Sequence, residues 1–149
     1  MTKNLAICAP TTPLRLVAQL MSDHDCSAIP IVDSGKLAGL VTDRDIACRA
    51  VARGMNAAEV PASAAMSRCI IAVGPDEPLD RAIELMEDNG IHHLAVVDRT
   101  GTLIGILAQS DLGRRLTNRE FGELARRTSI RDRRIDRDIS PLVRRSERA

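Results

Sequence analysis

The sequence predicts a mixed α/β (α+β) fold made of two tandem copies of one unit, each running strand, helix, strand, strand, helix. Three observations carry this. The chain repeats itself at a spacing of 65 residues: Met1-Thr2 matches Met66-Ser67, Pro10 matches Pro75, Pro13-Leu14 matches Pro78-Leu79, Met21 matches Met86, and Val32-Asp33 matches Val97-Asp98. Within each copy, apolar residues at helical spacing alternate with short apolar runs of strand length. Each copy also ends a strand on one pattern, Gly39-Leu-Val-Thr-Asp-Arg-Asp45 in the first and Gly105-Ile-Leu-Ala-Gln-Ser-Asp111 in the second.

Taken in order, the first copy opens with an extended segment, Ile7-Cys8-Ala9, and the second with Ile70-Ile-Ala-Val73. Pro13 and Pro78 then suit the first helical position, where a missing N–H costs nothing. Leu14, Val17, Ala18 and Met21, and in the second copy Leu79, Ala82, Ile83 and Met86, give a core-facing stripe. The runs Ile29-Pro-Ile-Val32 and Leu94-Ala-Val-Val97 read as strands, and turns at Gly35 and Gly101 return each into a second strand, forming hairpins. A helix from Asp43 to Arg53 follows the first pattern, with Arg49 and Arg53 near its negative end and Gly54 just past it. The expected divisions are residues 1–54, a linker 55–65 interrupted by Pro61, residues 66–116, and an Arg-rich segment 117–149. A repeat of this size with an aliphatic core is marginal alone, so the two are expected to bury their sheet faces against each other. Thr117-Asn-Arg-Glu120 is a capping box opening a helix through Phe121, Leu124 and Ala125. From Thr128 the Arg-rich, aromatic-free run leans toward disorder until something binds, with Ile135, Ile139 and Leu142 at helical spacing but Pro141 cutting in.

Thr42 and Asp45 allow two readings. A Thr at a helix N-cap with an acid three residues on forms a reciprocal capping box. Alternatively, the carboxylate accepts from two adjacent sugar hydroxyls while the Thr hydroxyl adds a third contact. Both can hold at once.

Composition narrows the classes. One Phe, no Tyr and no Trp leave no platform for stacking bases, which disfavours nucleic acid as a partner. Residues 1–112 carry 9 basic and 14 acidic side chains, and the remainder of the 21 and 20, which is 12 and 6, lies in 113–149. Such a basic segment on an acidic body is most often a solvated or self-docking helix. Cys8, Cys26, Cys48 and Cys69 form no paired framework and read as buried, reduced thiols of a cytoplasmic protein. No apolar run reaches the length of a membrane span. With His24, His92 and His93 they show no zinc-finger spacing, so no metal is expected. No Gly-rich phosphate loop, nucleophile elbow or paired catalytic carboxylates occur, so no enzyme activity or required cofactor is expected.

The repeat order, the Met-Thr and Met-Ser starts, the Pro-Ile-Val-Asp hairpin and the GxxTxxD pattern resemble a tandem pair of CBS domains, a Bateman module, over residues 1 to about 116. Val41-Thr-Asp-Arg-Asp-Ile46 with Arg49-Ala-Val-Ala-Arg-Gly54 is similar to small bacterial CBS-pair proteins. The resemblance implies two repeats about a pseudo-twofold axis, clefts that bind AMP, ADP, ATP or S-adenosylmethionine, and a homodimer. It assigns Thr42 and Asp45 to the ribose, and Ile29, Pro30 and Ile31 to the base. In the second copy it keeps Asp111 but finds Ala108 and Ala95 where the first has Thr42 and Pro30, which implies a weaker or empty site. Ser110 there reads as a helix cap. His92 and His93 become phosphate-contact candidates, against the plain reading of one packed and one solvated histidine. Arg44 beside the pattern offers a charge, though an Arg in a first helical turn is usually just exposed. The function implied is a non-catalytic regulatory module that senses an adenosine-containing ligand and signals to a partner protein not identified by sequence. The alternative is a constitutive dimeric interaction protein whose Arg-rich tail binds an anionic partner.

Overall fold

The computed structural model describes residues 5–68 and 70–138, with residues 130–138 through their backbone alone. The expectations for Met1-Thr2, Cys69, Ile139, Pro141 and Leu142, and for the side chain of Ile135, lie outside the described residues. Contacts group the chain into two compact units, Met1–Pro75 with Ala95–Leu107, and Asp76–Leu94 with Ala108–Ala149.

In the first unit, helix α1 (Leu14–Asp23) is followed by the antiparallel pair β1 (Ala28–Asp33) and β2 (Lys36–Thr42). Their turn has positive φ at both central residues, Ser34 at 50° and Gly35 at 79°, the type I′ geometry whose twist suits a two-residue hairpin. The extended segment at Cys8 adds a parallel bridge to Ile31: the Cys8 N–H donates to the Pro30 carbonyl at 3.1 Å, and the Val32 N–H to the Cys8 carbonyl at 2.8 Å. In the second repeat, β3 (Ala72–Val73) lies parallel to β4 (His93–Val97), and β5 (Leu103–Ala108) completes a sheet of order β3-β4-β5.

Pro13 stands at the N-cap of α1, one position earlier than the spacing suggested, and supplies no side-chain cap. The first-turn donors are met from afar: Leu14 N–H donates to the Val60 carbonyl at 2.9 Å and Arg15 N–H to that of Ala57 at 2.8 Å. Residues 55–65 thus do the work of a capping side chain. Beyond Pro61 this segment forms the short helix α3 (Ala62–Ala65), whose start donates back to Thr12 and Pro10. Of the predicted stripe, Leu14, Val17 and Met21 are buried, but Ala18 is exposed; Leu20, half-buried, packs on the core instead. That core gathers Leu14, Val17, Ile29, Ile31, Val41 and Met66 without an aromatic ring. β2 also pairs with the start of the second repeat, Leu40 and Ser67 exchanging bonds of 3.0 and 2.9 Å. Gly39 permits this, since a Cβ there would lie 2.6 Å from Met66 Sδ and 3.1 Å from the Ser67 carbonyl oxygen.

After β2 comes the helical turn α2 (Asp43–Asp45), which runs on as a π-turn, Ile46–Ala50, and a 3-10 turn, Val51–Arg53. The predicted helix is therefore present with irregular winding, and it stops at Gly54 in the left-handed conformation.

The second unit holds α4 (Leu79–Asn89), again with Pro at the N-cap, α5 (Gln109–Leu112) and α6 (Asn118–Asp138). Thr117 and Glu120 form the expected capping box: the Thr117 N–H and hydroxyl donate to Glu120 Oε2 at 2.8 and 2.7 Å, and the Glu120 N–H donates to Thr117 Oγ1 at 3.3 Å. Leu124 and Thr128 are buried, and Arg127 reaches Glu87 of α4 at 2.9 Å. Over residues 128–138 the lean toward disorder is corrected, since the backbone is helical to Asp138; the rest of that segment lies outside the described residues. No Gly or Pro interrupts residues 123–140, and Arg is a strong helix former, so a capped and docked first half propagates.

Candidate functional site

The end of β2 delivers Thr42 in extended conformation to the N-cap of α2, and one helical turn brings Asp45 back beneath it. Both arms of the capping box form. The Asp45 N–H donates to Thr42 Oγ1 at 3.2 Å, while the Thr42 N–H and hydroxyl both donate to Asp45 Oδ2 at 2.9 Å. The capping reading is therefore realised, Asp sufficing where Glu is usual. It leaves a chemical remainder. The hydroxyl proton of Thr42 is committed to the carboxylate, so Thr42 Oγ1 and Asp45 offer any further partner acceptors only.

Asp45 Oδ1 meets Arg49 Nη2 at 3.3 Å, and Arg49 Nη1 donates to the Ala65 carbonyl at 2.7 Å. Sequence reasoning used Arg49 only as a charge near a helix end. The signal available was the acid-to-Arg spacing of four residues, which puts the two on one helix face.

Ile29 and Ile31 are wholly buried among the core residues of the first unit, and Pro30 between them is also buried. They share that unit with Thr42 and Asp45. Arg44 is exposed, its N–H donating to Asp43 Oδ1 at 2.7 Å.

The second unit places His92, Asp111 and the first residue of β4, His93, in half-buried positions. Asp111 Oδ2 accepts from the Ala108 N–H at 3.0 Å, the one arm of the box that an Ala at the N-cap allows. Ser110 is not the cap expected of it: Ala108 holds that place, and Ser110 is an exposed residue inside α5. His92 Nδ1 is hydrogen-bonded to Gln109 Oε1, and the same oxygen accepts from the Thr128 hydroxyl at 3.3 Å. A buried polar cluster thus ties the approach to β4, the start of α5 and the middle of α6, and neither Gln109 nor Thr128 was marked out for it by residue pattern.

The reading of buried thiols is corrected for two of them: Cys26 and Cys48 are exposed and Cys8 is half-buried. Cys26 falls in the turn before β1 and Cys48 on the outer side of the π-turn. Desolvation pushes the Cys8 and Cys26 thiols up from their ordinary range, which works against a ready nucleophile. Among the described residues no three His, Cys, Asp or Glu converge as a metal site, and no helix is long and apolar enough to cross a membrane.

Comparisons with known proteins agree with this architecture. The CBS domain family matches residues 1–50 and 58–118. The CBS domain-containing protein YhcV of Bacillus subtilis is 38% identical over 112 residues, covering 75% of this chain and 79% of that protein. The CBS domain protein PAE2072 from Pyrobaculum aerophilum, solved with AMP, superposes with a TM-score of 0.71 at 26% identity over 84% of this chain and 94% of its own. The CBS domain pair of MJ0100, solved with 5′-methylthioadenosine and S-adenosyl-L-methionine, gives 0.70 at 28% identity over 76% and 89%. The chain spans only 54% and 22% of two further curated relatives, so those longer proteins share a part with it. With the family matching both repeats, the shared fold and the recurring strand-to-helix signature, the chain belongs to the CBS domain family as a tandem pair.

Proposed function

We propose that this chain is a non-catalytic regulatory module that binds an adenosine-containing ligand at the first signature and signals its occupancy to a partner. One observation carries the reading. Thr42 and Asp45, with the hydroxyl proton turned inward, present acceptors side by side, which suits a vicinal diol that can only be matched by donating both its protons. The solved relatives holding AMP, and 5′-methylthioadenosine with S-adenosylmethionine, share such a ribose. At the second signature Ala108 removes one acceptor, so that position is the weaker of the two. His92 is engaged with Gln109, so a phosphate role for it needs that bond to be given up; His93 is the second phosphate candidate. Homodimer formation follows the reading of the family. The alternative, an Arg-rich segment holding an anionic partner, has against it that Arg127 is already paired with Glu87 and Glu123.

Thermal unfolding with AMP, ADP, ATP, S-adenosylmethionine and 2′-deoxy-AMP tests this. At a hundredfold excess over the dissociation constant the folded state gains about 2.7 kcal/mol. For a chain of this size that is a rise of roughly 5–10 °C. The shift should shrink for the deoxy ligand and vanish in Asp45→Ala. No shift with any ligand sinks the proposal and turns attention to the C-terminal segment.

A further inference from the structure

We infer that Arg49 is a positioning residue for ribose recognition, fixing the outward oxygen of Asp45; this rests on the adenosine reading above. A carboxylate offers about four lone-pair directions. Oδ2 spends two on the Thr42 N–H and hydroxyl. A sugar hydroxyl that bonds the carboxylate must therefore engage Oδ1, whose neighbour among the described residues is Arg49 Nη2. That contact, at 3.3 Å, is long for a charge-assisted bond, whereas the other prong of the same guanidinium is held to the Ala65 carbonyl at 2.7 Å. The fork is thus anchored on the backbone and rests against the carboxylate rather than being held by it. It leaves one lone-pair direction of Oδ1 open and sets which way that direction points.

The anchor sits in a firmly held place. Ala65 ends α3 and is buried, and two residues later Ser67 exchanges paired bonds with Leu40, on the strand that carries Thr42. Arg49 lies in the π-turn that begins immediately after Asp45. Lysine can replace this function only in part, because one ammonium group keeps the charge but lacks the planar fork that spans two acceptors.

The test compares AMP with 2′-deoxy-AMP by calorimetric titration of the full-length wild type, Asp45→Ala, Arg49→Met and Arg49→Lys. If Arg49 positions the carboxylate, Arg49→Met lowers AMP affinity about tenfold while affecting the deoxy ligand far less, so the ribose preference collapses. Arg49→Lys falls between Arg49→Met and wild type. A wild-type ribose preference in Arg49→Met, an equal loss for both ligands, or tighter AMP binding each overturns the inference, the last by making Arg49 a competitor of the sugar. Those three outcomes leave the adenosine reading intact as long as Asp45→Ala still abolishes the preference. If the wild type binds neither ligand, the inference for AMP falls, while the adenosine reading is decided separately by the unfolding shifts with ADP, ATP and S-adenosylmethionine. Should Arg49→Met fail to fold by circular dichroism, Arg49→Lys decides: a reduced ribose preference supports the role, and an unchanged preference or an equal loss for both ligands refutes it.

Discussion

At Gly39 the absence of one methyl group decides whether the backbone at Met66 and Ser67 can lie against β2. The Met66 thioether could swing away from an added Cβ, but the Ser67 carbonyl, fixed by its bond to the Leu40 N–H, could not. Gly39→Ala should therefore destabilise the chain by about 1–3 kcal/mol, as overpacking does. Urea denaturation would show it, and adding Met66→Ala should recover part of the loss and leave the carbonyl clash. The pattern displayed Gly39 plainly, while its reason was invisible, because it depends on a residue brought near only by folding. Thr42 and Asp45 were legible for the opposite reason: capping geometry is local, and three residues of spacing fix it. Arg49 lay between these cases, its spacing to Asp45 readable and its bond to Ala65 not.

The C-terminal helix shows the same division one level up. Its start was readable from Thr117 and Glu120, and its first apolar turn from Phe121 and Leu124. Thr128, a polar residue, read as the beginning of a tail, yet it is fully buried. Its hydroxyl has partners in the Leu124 and Ala125 carbonyls and in Gln109. Thr128→Val keeps the shape and removes the one hydroxyl proton these three acceptors share, and should cost about 1 kcal/mol in chemical denaturation. The capping box makes a separate prediction in acid. Hydrogen bonds from the Thr117 hydroxyl and N–H hold Glu120 below the usual carboxylate range. A lowered folded-state value means the contribution is present at neutral pH and lost as pH falls through the acid range. Helicity followed by circular dichroism should drop on acidification, and Thr117→Ala should lose helicity at neutral pH while flattening that acid-dependent fall.

On the scale of the whole chain, the repeats read from sequence and the units read from packing divide the molecule differently. Residues 95–107 of the second repeat group with the first, and the connection at residues 55–65 supplies hydrogen-bond partners to α1. A duplication is visible because it leaves matched residues; the sharing of strands and carbonyls between copies is not, since backbone groups carry no side-chain signature. Hydrogen exchange should reveal this sharing: the amides of Leu14 and Arg15, first-turn donors that ordinarily exchange fast, should be protected, as should Ala62. A fragment of residues 1–54 lacks Val60, Ala57 and Ser67 as acceptors and should show no cooperative unfolding transition on heating.

The docked segment after Gly54 also decides where this chain can be opened for engineering. A fluorescent or affinity insert placed between the repeats, the customary choice for a two-copy protein, would pull Ala57 and Val60 off the start of α1. The exposed hairpin tips at Ser34-Gly35 and Thr100-Gly101 carry no such duty to another element. They are the places to seat a reporter that must leave the signature undisturbed.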